Sequence, residues 1–365
     1  MDNIVKVIKS EKSWMESNAI DQLKKVAELE GVVKAVGLPD LHIGKTPVGA
    51  SFVTKEVIYP HLIGNDIGCG MALFSTNINK GKFKFDKVRG KLERLNGLES
   101  IDISHLTEEI HLPMKEALGT IGSGNHFTEF QQIDKVHDQD LLDELGINKG
   151  YIYLLVHSGS RGYGEYILRK YIGEYSCQKG LKENSEGYIE YFKEHNSAIE
   201  FGMLNRELIA YRLLSTIGAK DGHKLLDSTH NSIAIKELNG EKLYVHRKGA
   251  APADVGCVVI AGTRGSNSYI VKPQANSFEY AFSVAHGAGR RWNRLSCKER
   301  LEHVYPNKSV REKLLGSNLI YSDRSIIYEE APEAYKSIDK VIEDMLNEDM
   351  IKVIASLKPL ITYKA

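Results

Sequence analysis

Short apolar runs, rich in β-branched and aromatic residues and stopped by glycine or polar turn residues, recur along this chain and commit it to sheets. Val48-Gly49-Ala50-Ser51-Phe52-Val53 and Tyr151-Ile152-Tyr153-Leu154-Leu155-Val156 are two of them; Lys242–Val245, Cys257–Ile260 and Ser268–Val271 are others. Such side chains pack well on a pleated surface, and the flanking glycines supply the turns. Helical periodicity takes over elsewhere: Ile20–Ala27, a stripe of Leu204, Leu208, Tyr211 and Ile217 within 194–217, and Glu333–Met350. Residues from about 164 to 218 read as a helical insertion. No internal repeat or Pro/Ser linker divides the 365 residues, so the expectation is one α+β domain of mixed sheets with surrounding helices.

Five of the thirteen histidines follow such runs into glycine-bearing or polar turns. His126 lies in Gly122-Ser123-Gly124-Asn125-His126-Phe127-Thr128-Glu129, and His157 in Val156-His157-Ser158-Gly159-Ser160-Arg161-Gly162. His286 lies in Val284-Ala285-His286-Gly287-Ala288-Gly289-Arg290, while His230 opens His230-Asn231-Ser232 and His246 opens His246-Arg247-Lys248-Gly249-Ala250. A strand that delivers histidine to a turn sets an imidazole at the sheet edge, where metal or substrate can approach. One such residue is ordinarily a hydrogen-bonded structural histidine; five with the same grammar form a candidate site. His61, His105, His111, His137, His195, His223 and His303 read as surface or structural.

Gly64-Asn65-Asp66-Ile67-Gly68-Cys69-Gly70-Met71 sets a carboxylate and a thiol three residues apart among glycines. Alone it fits either a metal-binding turn or an ordinary one, with a capping Asp and a buried Cys. Joined to the histidines, it completes a transition-metal donor set. Softness alone favours zinc. The ligand count exceeds the four of a structural zinc site, so a catalytic two-metal cluster is expected.

Arg161, Lys248, Arg264, Arg290, Arg291 and Arg294 stand beside the same turns. Arginine makes bidentate contacts to phosphate, and glycine turns offer backbone amides to anions. Solvated surface charge is the plain alternative, but the clustering points to phosphoryl or nucleotidyl transfer. There is no Walker A motif, and Lys220-Asp221-Gly222 lacks the spacer of the Lys-x-Asp-Gly motif of lysine-nucleophile nucleotidyl ligases. Histidine is then the candidate nucleophile for a covalent nucleotide.

Lys+Arg and Asp+Glu both number 48, so a nucleic-acid partner needs a local basic groove. No apolar run approaches the roughly 20 residues of a membrane span. The N-terminal MDNIVKVIKSEKSW lacks an apolar signal core. Cys69, Cys177, Cys257 and Cys297 form no Cys-x-x-Cys. A cytoplasmic protein with no membrane partner is expected.

These residues resemble the RtcB-type 3′-phosphate RNA ligases nearly end to end. The carriers begin with Pro39-Asp40-Leu41-His42-Ile43-Gly44, Asn65-Asp66-Ile67-Gly68-Cys69-Gly70 and Gly122–Glu129. They continue through the four turns that begin at His157, His230, His246 and His286, to Glu330-Ala331-Pro332-Glu333-Ala334-Tyr335-Lys336 and Lys364. The resemblance implies that an RNA 3′-phosphate or 2′,3′-cyclic phosphate is joined to a 5′-hydroxyl using GTP and two Mn²⁺ ions; the departures noted below fit a compact bacterial paralog serving RNA repair better than a tRNA-splicing enzyme. By it, His286 is the nucleophile that takes GMP from GTP and passes it to the RNA 3′-phosphate, before the 5′-hydroxyl expels it.

The resemblance also implies that Cys69 bridges both metals, with His157 and His230 on one ion and Asp66 and His126 on the other. Asn125, Phe127, Glu129, Tyr335 and Lys364, with His286-Gly287-Ala288-Gly289, fall in its guanylate-contacting set, Glu129 reading guanine N1–H and the 2-amino group. Arg161, His246, Lys248, Arg264 and Arg290 are expected to face RNA or phosphate, and Asp40 and His42 to support the site from behind. Gly262-Thr263-Arg264-Gly265-Ser266-Asn267-Ser268-Tyr269 departs from the usual Gly-Ser-Met-Gly-Thr-x-Ser-Tyr form, Asn293 stands where many members have Ser, and the chain is shorter than many relatives. No ligand or nucleophile is lost by these changes. They leave open the nucleotide-loop details, the RNA class and any dependence on the activating partner archease. A dinuclear-metal phosphoesterase and a non-catalytic RNA- or nucleotide-binding paralog are the competing readings.

Overall fold

The strand-forming runs assemble into two main sheets. The computed structural model describes residues 4–219, 222–304, 318–322 and 325–364. One sheet has the order β1-β2-β3-β11-β10. Its strands are β1 (Val5–Val7), β2 (Val32–His42), β3 (Val48–Thr54), β10 (Asn231–Leu238) and β11 (Glu241–Lys248). β1 runs parallel to β2 and the other pairs are antiparallel, so the sheet is mixed.

The larger sheet has the order β13-β14-β17-β6-β7-β5-β9, with β16 paired to β17. These are β5 (Gly70–Asn79), β6 (Phe127–Val136), β7 (Tyr151–Ser158), β9 (Lys224–Thr229), β13 (Val258–Ile260), β14 (Ser268–Pro273), β16 (Asn318–Tyr321) and β17 (Ile351–Lys364). Two short ribbons join β4 (Val57–Ile58) to β8 (Leu181–Lys182) and β12 (Ala250–Pro252) to β15 (Ser283–Ala285).

The unbroken apolar run of β7 has a packing reason. Ile152, Leu154 and Val156 pack in one core cluster with Ile209, Leu213 and Leu214, whereas Tyr153 and Leu155 pack in another with Val259, Ile270 and Ile354. Successive side chains point to opposite faces, and here both faces are covered.

The 164–218 region is helical over Gly162–Tyr175 and Glu186–Ile217, with β8 between them. The long helix starts where the Ser185 hydroxyl accepts from Tyr188 N and stops at Gly218, φ +83°. It belongs to the core: Phe201, Ile209 and Leu213 are fully buried. The 333–350 expectation shortens to a helix over Ile338–Asn347, and the first helix covers Ser17–Ala27. The whole is a single α+β domain of mixed sheets and surrounding helices. Among the described residues, no helix is long and apolar enough to cross a membrane.

Candidate active site

The candidate metal ligands converge from strand ends of the larger sheet. Asp66 and Cys69 occupy the turn that feeds β5, closed by Cys69 N donating to Asp66 O (3.2 Å). Gly68 within it has φ +78°, and a methyl there would stand 2.7 Å from the Ala198 carbonyl oxygen of the long helix, so the turn requires glycine. His126 enters β6, His157 lies near the end of β7, and His230 is the single residue between β9 and β10.

Cys69 Sγ lies 3.3 Å from Nε2 of both His126 and His157, and His157 Nε2 lies 3.3 Å from His230 Nε2. Asp66 Oδ2 is 2.8 Å from His126 Nε2. Nδ1 of His126 and of His157 faces a backbone carbonyl, Ile121 O at 3.0 Å and Asn125 O at 3.1 Å, which turns both Nε2 atoms to the centre. The result is two overlapping triads, Cys69–His157–His230 and Asp66–Cys69–His126, each with ligand atoms within 4.8 Å of one another.

Burial, with the neighbouring histidines, keeps His157 and His230 well below the usual histidine range, so both are neutral and their lone pairs are available. Burial works against ionising Asp66, yet His126 beside it holds the carboxyl down at about 2. Burial and the Asp66 charge push the Cys69 thiol up; a bound cation reverses that sign. Imidazole, carboxylate and sulfur at these separations fit a pair of transition-metal ions sharing Cys69.

His286, fixed at the end of β15 by the β12 ribbon, comes from the other side. Its ring centroid lies 4.8 Å from that of His230. Its Nδ1 donates to Asp40 Oδ2 (2.7 Å) and its backbone N to the same oxygen (3.2 Å). Asp40 is fully buried on β2, with the His42 ring on its carbonyl (2.9 Å). Gly289, φ +72°, lies so close to Asp40 that any side chain would overlap its carbonyl.

In front of these residues opens a cavity of about 260 Å³ lined by Asn125, Phe127, Glu129, His157, His286, Gly287, Ala288, Gly289, Tyr335 and Lys364. Lys248, Arg264, Arg290, His42 and Glu330 line it too. Both Glu129 oxygens are engaged, by Thr362 Oγ1 and by Gln131 Nε2 at 2.6 Å. The Lys364 ammonium donates to Gly124 O (2.8 Å), and burial lowers its pKa. Arg290 binds inward, to Glu330 (3.2 Å), the Tyr335 hydroxyl (3.0 Å), Glu329 O (2.8 Å) and Trp292 O (3.2 Å). Arg161 stays outside the cavity lining; its backbone N donates to Asp66 Oδ1 (3.3 Å) and its Nε to Thr120 Oγ1 (3.3 Å).

One expectation is corrected. His246 does not face phosphate or RNA: it is fully buried on β11, and its Nε2 accepts from Tyr59 N (2.9 Å). Lys248, two residues on, reaches the cavity; His246 stops one pleat short, against the Pro60–Ile63 turn.

Residues with no expected role also meet the site. Thr362 and Glu330 line the cavity, and Lys336, pushed down to about 8 by burial, donates to Pro39 O (3.0 Å) and Leu41 O (2.6 Å) on either side of Asp40. Lys336 and Glu330 lie inside a family motif; Thr362 carried no signal.

The family described as "tRNA-splicing ligase RtcB" matches residues 22–98 and 84–365. The chain is 41% identical to "RNA-splicing ligase RtcB2" of Escherichia coli, over 100% of this chain and 96% of that one. It is 29% identical to "tRNA-splicing ligase RtcB" of Archaeoglobus fulgidus, over 95% and 91%, and 28% identical to the protein of that name in Thermococcus kodakarensis, over 94% and 90%. With a match of this length, and with His157 of the metal-ligand cluster and His286 lining one cavity, the chain belongs to the RtcB family.

Proposed function

We infer that this RtcB-family chain is an RNA ligase, and more finely that it joins RNA 3′-phosphate or 2′,3′-cyclic phosphate ends to 5′-hydroxyl ends with GTP and Mn²⁺, in RNA repair. The observation that carries this reading is the orientation of His286. Its Nδ1 proton is taken by Asp40 at 2.7 Å, which leaves the Nε2 lone pair as the nucleophile. Nε2 attacks the α-phosphorus of GTP, a phosphoramidate bond forms, and pyrophosphate leaves. A cyclic end must first have its P–O2′ bond broken by water to give the 3′-phosphate. An oxygen of the RNA 3′-phosphate then takes the GMP and frees the imidazole; finally the RNA 5′-hydroxyl attacks the activated phosphorus, loses its proton, and GMP departs. Asp66, Cys69, His126, His157 and His230 would hold two divalent ions, which neutralise phosphate charge and align the in-line displacement. Lys248, Arg264 and Lys364 supply positive charge along the cavity. Glu129 accepts from the guanine edge, and Phe127 and Tyr335 offer aromatic surface to the nucleotide.

Labelled GTP with Mn²⁺ tests this directly. Covalent label that withstands denaturation and disappears in His286→Ala is the expected result. Metal-dependent phosphate release with no covalent label would establish the phosphoesterase instead. Guanylylation without sealing of any nicked RNA would leave a nucleotide-binding paralog.

A further inference from the structure

Two adjacent residues of the long helix reach every segment that carries a candidate metal ligand. Arg206 is fully buried. Its Nη1 donates to the Gly68 carbonyl (2.8 Å) and the Ser158 carbonyl (2.9 Å). Its Nε and Nη2 donate to Asp227 Oδ1 at 2.9 and 2.7 Å. Gly68 lies between Asp66 and Cys69, Ser158 follows His157, and Asp227 stands on β9 three residues before His230.

Asn205, also fully buried, completes the set. Its Oδ1 accepts from Gly119 N (2.7 Å) and Thr120 N (3.1 Å). Its Nδ2 donates to Thr120 O (3.1 Å), Ser158 Oγ (3.0 Å) and Gly159 O (3.1 Å). Ser158 Oγ in turn donates to Ile121 O (2.8 Å), the carbonyl that also takes His126 Nδ1. The helix can come this close because Gly202 faces the ligand turn: a methyl there would stand 2.6 Å from the Gly68 carbonyl oxygen.

Six of the nine bonds from these two side chains go to backbone groups on or beside the ligand-bearing segments, so they fix where the ligand side chains begin. Neither residue lines the cavity. A buried guanidinium paired with one carboxylate is a poor source of stability, because desolvation offsets the attraction. A planar fork with all three nitrogens engaged is a good source of fixed geometry.

We propose that Asn205 and Arg206 are positioning residues of the metal centre, setting the separations among Asp66, Cys69, His126, His157 and His230 from behind. The proposal rests on those five residues holding metal. Neither residue touches substrate.

The test is a Mn²⁺ titration of the full chain, followed by the electron paramagnetic resonance of the free ion, beside a thermal melt. Arg206→Met with Asp227→Leu removes the fork and its counter-charge together, leaving no buried orphan charge. This double variant should melt cooperatively yet bind Mn²⁺ about 10- to 100-fold more weakly, the usual loss when groups that orient metal ligands are removed. Arg206→Lys keeps a charge against Asp227 but not the fork, and should bind with intermediate affinity. A folded double variant that binds Mn²⁺ as tightly as the unaltered chain overturns the proposal. If the double variant does not fold, Arg206→Lys decides, and undiminished affinity there overturns it equally. An unaltered chain that takes up no Mn²⁺ sinks the metal reading and the proposal with it, a result the control alone reveals.

Discussion

Glu129 forms part of the cavity wall, and burial pushes its carboxyl up to about 7 although Thr362 and Gln131 donate to it. Its ordinary value is 4.5. Below that, the carboxyl is neutral in folded and unfolded chains alike. Between 4.5 and about 7 the unfolded chain ionises while the folded one keeps its proton, so stability falls as pH rises through this window, by up to about 3 kcal/mol. Glu129→Gln should flatten that decline in urea unfolding measured from pH 4.5 to 8. Guanine recognition runs the opposite way, because only the ionised carboxylate accepts from both N1–H and the 2-amino group. Preference for GTP over ATP should therefore strengthen above pH 7 and vanish in the variant; a variant that still discriminates would contradict the guanine-reading role. The ligand residues were legible because each sits where an apolar run meets a glycine or polar turn. His246 shares that grammar and misleads, since the register of β11 leaves it under Tyr59. Asn205 and Arg206 were not legible, because polar residues inside a charged helix ordinarily face water.

At the level of elements, the long helix and the Asp66–Cys69 turn meet backbone to backbone through Gly68 and Gly202. Gly68→Ala combines a left-handed backbone, costing about 1–2 kcal/mol for a side-chain-bearing residue, with a contact of 2.7 Å. Its unfolding free energy should fall by at least that much, and its Mn²⁺ affinity should fall too, because the turn must retreat from the helix. A variant with both properties intact would show that the turn tolerates the shift. The 164–218 stretch reads as an insertion because it is helix-like and charged, with eight Glu and four Lys; what ties its long helix to the core is the face carrying Phe201, Asn205, Arg206 and Leu213, all fully buried. β17 was the harder element. Pro359 interrupts its strand signal, and its pairing with β6 is irregular at Ser356/Leu357 and Pro359/Ile361. Yet this strand delivers Thr362 and Lys364 to the cavity.

The molecule divides its chemistry between its two main sheets and one short ribbon. β2 supplies Asp40 and the small β12–β15 ribbon supplies His286, while the larger sheet supplies Cys69, His126, His157, Glu129 and Lys364. The α+β class could be read from the alternation of short apolar runs with helical stretches; the make-up of each sheet could not, because it depends on pairings between distant segments, such as β11 with β3. His230 is where the chain crosses over: Thr229 closes β9 in one sheet and Asn231 opens β10 in the other. A metal held by His230, Cys69 and His157 would therefore act as a rivet through the seam between the sheets. Mn²⁺ at 100 times its dissociation constant should raise unfolding free energy by about 2.7 kcal/mol per site. Chelation should reverse that gain and speed amide exchange in β9 and β10 before the rest of either sheet. The ion that activates phosphate would then also be what keeps the nucleophile's half of the molecule aligned with the half that binds the nucleotide.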